Sequence, residues 1–120
     1  METAALVLSL LAAVAIIVLG IRFFVVPSQA TIDYGVAPDN VRALTAIKGG
    51  RDVTLGAIVL VVWAAVGREA VGWVMIPAAI APIIDAAIVA TNGGKLSHAL
   101  SVHGVTAAVM IAAGLVLVLG

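Results

Sequence analysis

The sequence contains no cysteine, and only 10% of its 120 residues are charged. The absence of cysteine excludes disulfides, thiolate metal sites and cysteine nucleophiles. Soluble domains carry about 25% charged residues, so a soluble globule of this size would lack the charge to cover its surface. Because six basic residues balance six acidic ones, the chain has no basic field for nucleic acid. These deficits exclude a soluble enzyme, a disordered chain and a nucleic-acid-binding protein.

Hydrophobic residues make up 64% of the chain and fall into four long runs. A helix needs about 20 apolar residues to cross the hydrocarbon core of a bilayer. The connections after the second and third runs are short, which makes sequential helices antiparallel neighbours. The expected fold class is all-α, a four-helix transmembrane bundle with up-down-up-down topology. We expect a single integral membrane domain over residues 1–120, with spans at about 3–22, 43–66, 70–90 and 96–119.

The distribution of basic residues predicts the orientation of the chain. The connection from Val26 to Val41 is rich in turn-forming residues and is expected to be a loop. Arg68 alone falls on the opposite side from the other basic residues, so the positive-inside rule places both termini outside. Trp63 and Trp73 flank the outer loop, as interfacial aromatic residues do. The alanine- and valine-rich composition suits a bacterial inner membrane.

Asp85 is an ionisable residue in an otherwise apolar predicted span. An intramembrane charge is costly and is a functional hypothesis by default. Asp85 could donate or accept a proton or anchor a ligand. It could equally be a structural partner of a basic residue on a neighbouring helix, and a pair with Arg51 would keep the charge balanced.

A second group of charges, Lys48, Arg51 and Asp52, lies in the segment Lys-Gly-Gly-Arg-Asp at the start of the second span. Lys48 and Asp52 are four residues apart, so on a helix they share a face and can pair. Charges at a helix end are commonly long side chains that reach the headgroups. Asp52 argues against that interpretation, because an acid is not an anchor for an anionic leaflet.

Two histidines lie in the first half of the fourth span. His103 is expected to be a buried imidazole bonded to an acid, or an acid/base group, since imidazole titrates near neutral pH. His98 is expected at the interface. Five residues on an α-helix correspond to about 140° around the axis, so the two side chains should not share a face. We therefore predict neither a metal site nor any other cofactor.

Two features are expected to shape the packing at this depth. Pro77 and Pro82 interrupt the third span before Asp85, and the carbonyl groups that they free must be met by neighbours or by water in a cavity. Gly104, Ala108 and Ala112 repeat every four residues, which predicts a close helix contact.

Asp52, Asp85 and His103 fall at similar depths on the predicted cytoplasmic side, although they come from three spans. This convergence predicts a polar pocket within the membrane. The candidate catalytic residues are Asp85, Asp52 and His103, and the candidate ligand-binding residues are Arg51, Lys48 and Pro82.

The ordered set of motifs resembles a small four-span membrane family catalogued as domain of unknown function 4267. The motifs are Phe-x-x-Pro at Phe24 and Pro27, Tyr-Gly at Tyr34, Lys-Gly-x-Arg-Asp from Lys48, then Pro82, Asp85 and His103-Gly104. The resemblance covers nearly the whole chain and implies the four-helix architecture without naming a reaction. More loosely, the size and polar inventory are similar to those of small membrane terpenoid cyclases, which protonate lipophilic substrates with intramembrane carboxylic acids.

Three functions compete at this point. The first is a protein that binds a lipophilic small molecule, with isomerisation, cyclisation or epoxide opening as its chemistry. In that scheme Asp85 is the general acid, Asp52 or His103 takes the proton back, and Arg51 orients the substrate or keeps Asp52 ionised. The second is a non-catalytic scaffold or subunit. The third is a transporter or proton conduit, which the apolar outer half disfavours in a single chain. Expected partners are membrane lipids, the lipophilic molecule and further copies of the chain, but no nucleic acid.

Overall fold

The computed structural model describes the backbone of residues 1–120 and every side chain except the one at position 12. The regular structure within that description is entirely helical, which confirms the all-α class. The helices are α1 (Glu2–Val25), α2 (Pro27–Tyr34), α3 (Val41–Ala65), α4 (Arg68–Ala78), α5 (Ile80–Thr91), α6 (Leu96–His98), a π-helical segment (Ala99–Gly104) and α7 (Val105–Leu119).

Three helical runs are long and apolar enough to cross a membrane, namely Glu2–Val25, Arg68–Thr91 and Leu96–Leu119. They indicate a membrane protein. Helix α3 covers the second predicted span, but its first half is charged because it begins ten residues before Arg51. The helix therefore begins before Lys48, Arg51 and Asp52, which lie in its interior and not at its end.

The chain divides into two compact units, and the first is Met1–Gly49. In this unit α2 follows α1 after Val26 alone and packs back on it. Arg22 Nη2 lies 2.7 Å from Asp33 Oδ2. The rings of Phe23 and Tyr34 meet edge to face with centroids 6.2 Å apart.

The expectation of a loop from Val26 to Val41 is wrong for residues 27–34. The turn-forming residues there delimit a helix instead. Pro27 occupies the first helical position, where its missing amide hydrogen costs nothing. Gly35 ends the helix in the left-handed conformation with φ 117°, and the N–H of Val36 then bonds to the carbonyl of Thr31 at 3.2 Å.

The second unit is Gly50–Gly120. Its centre is a pair of antiparallel helical runs, Arg68–Thr91 and Leu96–Leu119. In this pair α4 packs on α7, and α5 packs on the π-helical segment. Gly72 and Gly114 are buried where α4 and α7 cross. A methyl group added to Gly72 would lie 2.7 Å from the carbonyl oxygen of Gly114, so these glycines allow the two backbones to touch.

The predicted contact line of small residues in the last span is wrong. Ala107 and Gly114 are buried, whereas Ala108 and Ala112 are exposed. A four-residue repeat drifts by about 40° per step around an α-helix, but residues seven apart return to within about 20°. The buried face therefore follows the seven-residue spacing.

The third span is interrupted at Ala79, between the two prolines that predicted the interruption. Pro82 has no amide hydrogen, so the helical ladder supplies no donor to the carbonyl four residues earlier. The N–H of Ala79 is shared between the carbonyls of Met75 at 3.1 Å and Ile76 at 3.2 Å, which tightens the last turn of α4.

Candidate functional site

The centre of the candidate site is an ion pair between Arg51 of α3 and Asp85 of α5. Arg51 Nη2 donates to both carboxylate oxygens of Asp85, at 3.2 Å to Oδ1 and 3.0 Å to Oδ2. The side chain of Asp85 is only 15% exposed, and that of Arg51 is 38% exposed. The predicted pairing of these two residues is present, and it holds a largely buried acid beside its counter-charge.

Asp52 is the second acceptor of the same guanidinium group. Arg51 donates to Asp52 Oδ1 from Nε at 3.2 Å and from Nη2 at 3.0 Å. Asp52 is much more exposed than Asp85, with 49% of its side chain accessible. One cation therefore joins two carboxylates, and one of those carboxylates faces outward.

The spacing of residues on α3 explains why Arg51 points at α5. Arg51, Leu55 and Val59 are each four residues apart, so they lie along one helical face, and all three are half-buried. On α5, Asp85 lies one turn after the buried Pro82. The two polar side chains thus bridge α3 and α5, whose described backbones make no close contact with each other.

An apolar groove continues along that face of α3. Its first part has a volume of about 440 Å³ and is lined by Leu55, Gly56, Val59, Leu60, Met75, Ala78 and Met110. Its second part has a volume of about 240 Å³ and is lined by Val59, Leu60, Trp63, Arg68, Val71 and Leu117. Val59 and Leu60 line both parts, so the two parts are neighbours along α3. Leu55 is one turn, about 6 Å, from Arg51, so the ion pair lies one helical turn from a residue that lines the groove.

His103 lies in the π-helical segment, which packs on α5, and it is half-buried. Among the described side chains it makes no hydrogen bond to Asp85, which accepts from Arg51 instead. The ring of His103 instead meets the ring of His98 edge to face, with centroids 6.3 Å apart.

The expectation that His98 and His103 occupy different faces is therefore wrong. It assumed α-helical spacing, but the N–H of Val105 bonds to the carbonyl of Leu100, five residues earlier. Such wide turns bring residues five apart onto neighbouring positions. Within the described residues, no group of three or more His, Cys, Asp or Glu is arranged to hold a metal ion.

The remaining predicted site residues have different positions. Lys48 is exposed on α3, and Pro82 is buried in α5. The structure thus brings together Arg51, Asp52 and Asp85, with Pro82 one turn away.

Sequence reasoning missed the groove residues. The four-residue repeat from Arg51 through Leu55 to Val59 could have revealed the α3 side of it. Nothing in the sequence indicated that Met75 and Met110 would form the opposite wall.

No curated protein and no solved structure is significantly similar to this chain. The family model described as Domain of unknown function (DUF4267) matches residues 13–117, which include every element of the site described above. The match extends over far more than half of the sequence. The chain therefore belongs to the DUF4267 family.

Proposed function

We propose that this chain is a four-span membrane protein that binds a lipophilic small molecule in the groove beside Arg51 and Asp85. In this proposal α3 crosses the membrane in addition to the three apolar helical runs, which makes four spans. Successive spans alternate in direction. The proposal puts both termini outside a bacterial inner membrane, which the distribution of basic residues favours. The polar end of the ligand contacts the ion pair, and its apolar part lies along α3.

One observation carries this proposal: the Arg51–Asp85 pair, whose aspartate is largely buried, lies one helical turn from Leu55, which lines an apolar groove of ligand size. Small-molecule sites are clefts of about 300–1,000 Å³ with apolar walls and few polar groups that fix orientation. The first part of the groove alone has about 440 Å³. Met75 and Met110 give the wall flexible side chains that adapt to a ligand's shape.

The geometry supports binding better than acid catalysis. Both oxygens of Asp85 accept hydrogen bonds from Arg51, which is the arrangement of a carboxylate rather than of a proton donor. Acid–base isomerisation or cyclisation would require a ligand that first draws Arg51 away from Asp85. Asp52 remains a candidate base because it is the more exposed acceptor.

Native mass spectrometry of the protein extracted in mild detergent tests the proposal. Asp85→Asn removes the negative charge of the ion pair. Gly56→Leu fills the groove, since a side chain added at Gly56 meets no atom within 4 Å. A discrete mass should copurify with the wild type and be lost from both variants.

Two matched controls separate loss of the groove from general damage. Asp33→Asn breaks an arginine–aspartate pair in the other unit. Gly49→Leu adds the same side chain to α3 at a position with equally open surroundings. Both controls should retain the copurifying mass. The proposal fails if the wild type and every variant carry only bulk lipid. In that case Arg51, Asp52 and Asp85 hold together the helices of a non-catalytic scaffold or subunit.

A further inference from the structure

His98 and His103 form a pair at the junction of α6 and the π-helical segment. Neither histidine belongs to the Arg51 cluster, which consists of Arg51, Asp52 and Asp85. The ring centroids of His98 and His103 are 6.3 Å apart. The π-helical turns create this pairing, because the same residues on an α-helix would point about 140° apart. π-helical segments are rare in proteins, and those that occur often lie at functional sites. The segment thus has a specific structural effect, which is to bring two imidazoles together.

We infer that His98 and His103 form a binding site for a divalent transition-metal ion such as Zn²⁺. Imidazole nitrogen suits Zn²⁺, Cu²⁺ and Ni²⁺. A tetrahedral ion with metal–nitrogen distances of about 2.0–2.1 Å holds two such nitrogens about 3.3 Å apart, which corresponds to ring centroids about 5–6 Å apart. The observed centroid separation of 6.3 Å is slightly longer than this range, so the inference requires the two rings to move closer together when an ion binds.

The two imidazoles are available as ligands. Neither makes a hydrogen bond to any described side chain. His98 is exposed and His103 is half-buried, so an ion can enter from the side of His98. Asp85 is not a ligand in this site, because Arg51 donates hydrogen bonds to both of its carboxylate oxygens. Water fills the remaining coordination positions, as in open metal sites.

The composition of the chain makes the site unusually testable. The sequence has two histidines and no cysteine, so an imidazole signal comes only from His98 and His103. The full-length protein, purified in detergent without a polyhistidine tag, is titrated with zinc chloride by calorimetry. Its Cu²⁺ complex is then examined by electron paramagnetic resonance, in which bound nitrogens split the signal.

The wild type should bind one ion per chain, and the copper spectrum should show two imidazole nitrogens. His98→Ala and His103→Ala should each weaken zinc binding by at least about tenfold, since each removes one of two protein ligands. His98 is exposed, so His98→Ala is decisive if His103→Ala disturbs folding.

A matched control keeps the number of imidazoles and removes their proximity. The double variant His98→Ala/Leu119→His places the second histidine at the exposed end of α7, sixteen residues and about 24 Å along the helix from His103. It should bind zinc as weakly as His98→Ala alone. The inference is overturned if this variant binds as the wild type does, or if the wild-type copper spectrum shows fewer than two imidazole nitrogens.

Discussion

Arg51 donates hydrogen bonds to two carboxylates that differ in solvent exposure. This difference determines how much each carboxylate contributes to the stability of the folded protein. Asp85 is largely buried, so its charge depends on the guanidinium group rather than on water. Asp52 shares the same donor but remains in contact with solvent. The pair with Asp85 is thus the part of the cluster to which folding is most sensitive.

Asp85→Asn should lower the free energy of unfolding in detergent by about 1.5–3 kcal/mol, the usual contribution of hydrogen bonds to charged groups. Thermal unfolding followed by circular dichroism measures the change. Asp33→Asn, which alters a pair whose aspartate is 45% exposed, should leave Tm almost unchanged. Equal shifts in the two variants would mean that the burial of Asp85 has no energetic weight.

Asp33 provides a prediction of pH dependence outside the membrane-spanning segments. Hydrogen bonds from Arg22 and then from Gln29 hold the pKa of Asp33 below its ordinary value of 3.8. A lowered pKa means that this pair stabilises the folded state above pH 3.8 and that its contribution is lost as the pH falls through the folded-state value. At neutral pH the contact between α1 and α2 is intact.

Arg22→Gln should raise the pKa of Asp33 towards 3.8, because the largest cause of the shift is removed. Carbon-13 NMR of the Asp33 carboxyl group, titrated in wild type and variant, gives both values. Superimposable titration curves would show that Arg22 does not hold Asp33 in solution.

At the scale of helices, the crossing of α4 and α7 depends on the lack of side chains at Gly72 and Gly114. A methyl group at Gly114 would lie 2.8 Å from Ile76 Cγ1 and 3.1 Å from the carbonyl oxygen of Gly72. Backbone atoms cannot yield as a flexible side chain can, so any added group must separate the helices.

Gly72→Ala should therefore destabilise the protein by about 1–3 kcal/mol. Gly56→Ala is the matched control, since its added methyl group meets nothing within 4 Å, and it should stabilise α3 by about 0.5–1 kcal/mol. Unfolding in mixed micelles of increasing denaturing detergent compares the two. If Gly72→Ala is as stable as Gly56→Ala, the close crossing does not exist in the micelle.

The predictability of the helices follows from their composition. Runs of apolar residues gave bounds of 43–66 and 96–119, close to the observed α3 and the run Leu96–Leu119. Helix α2 was missed because Pro27 and Gly35 are also the residues of loops. The π-helical segment could not be predicted, since hydrophobic periodicity says nothing about one extra residue in a turn.

The candidate site was predictable only where charge limits the choices. Arg51 and Asp85 had few alternative partners in an apolar chain, so their pairing could be anticipated. The position of His103 could not, because it depends on the unexpected turns before Gly104. The groove depends on which apolar faces stay apart, and composition does not carry that information.

At the scale of the whole molecule, the status of α3 is the open structural prediction. Three runs meet the length and hydropathy of a span, whereas α3 carries four charged residues, more than any other helix. The single membrane domain with four spans stays a prediction. The lack of native cysteine allows it to be tested with single-cysteine variants.

Asp39→Cys and Asn92→Cys each place one thiol in a connection, and Glu69→Cys places one in the first turn of α4, next to the connection after α3. If α3 crosses the membrane, a membrane-impermeant maleimide should label Asp39→Cys and Asn92→Cys from one side and Glu69→Cys from the other. If α3 lies on the surface, Asp39→Cys and Glu69→Cys should be labelled from the same side. Detergent-solubilised samples, in which all three thiols react, provide the control.

The groove along α3 has Gly56 and Leu60 exposed on its rim, so in the proposed arrangement it opens towards acyl chains rather than towards water. Its occupancy is then governed by the mole fraction of the ligand in the lipid phase. A molecule that partitions strongly into the bilayer fills such a groove even when its intrinsic preference over lipid is modest. Dilution into buffer would leave the complex intact, whereas fusion with empty vesicles would strip it.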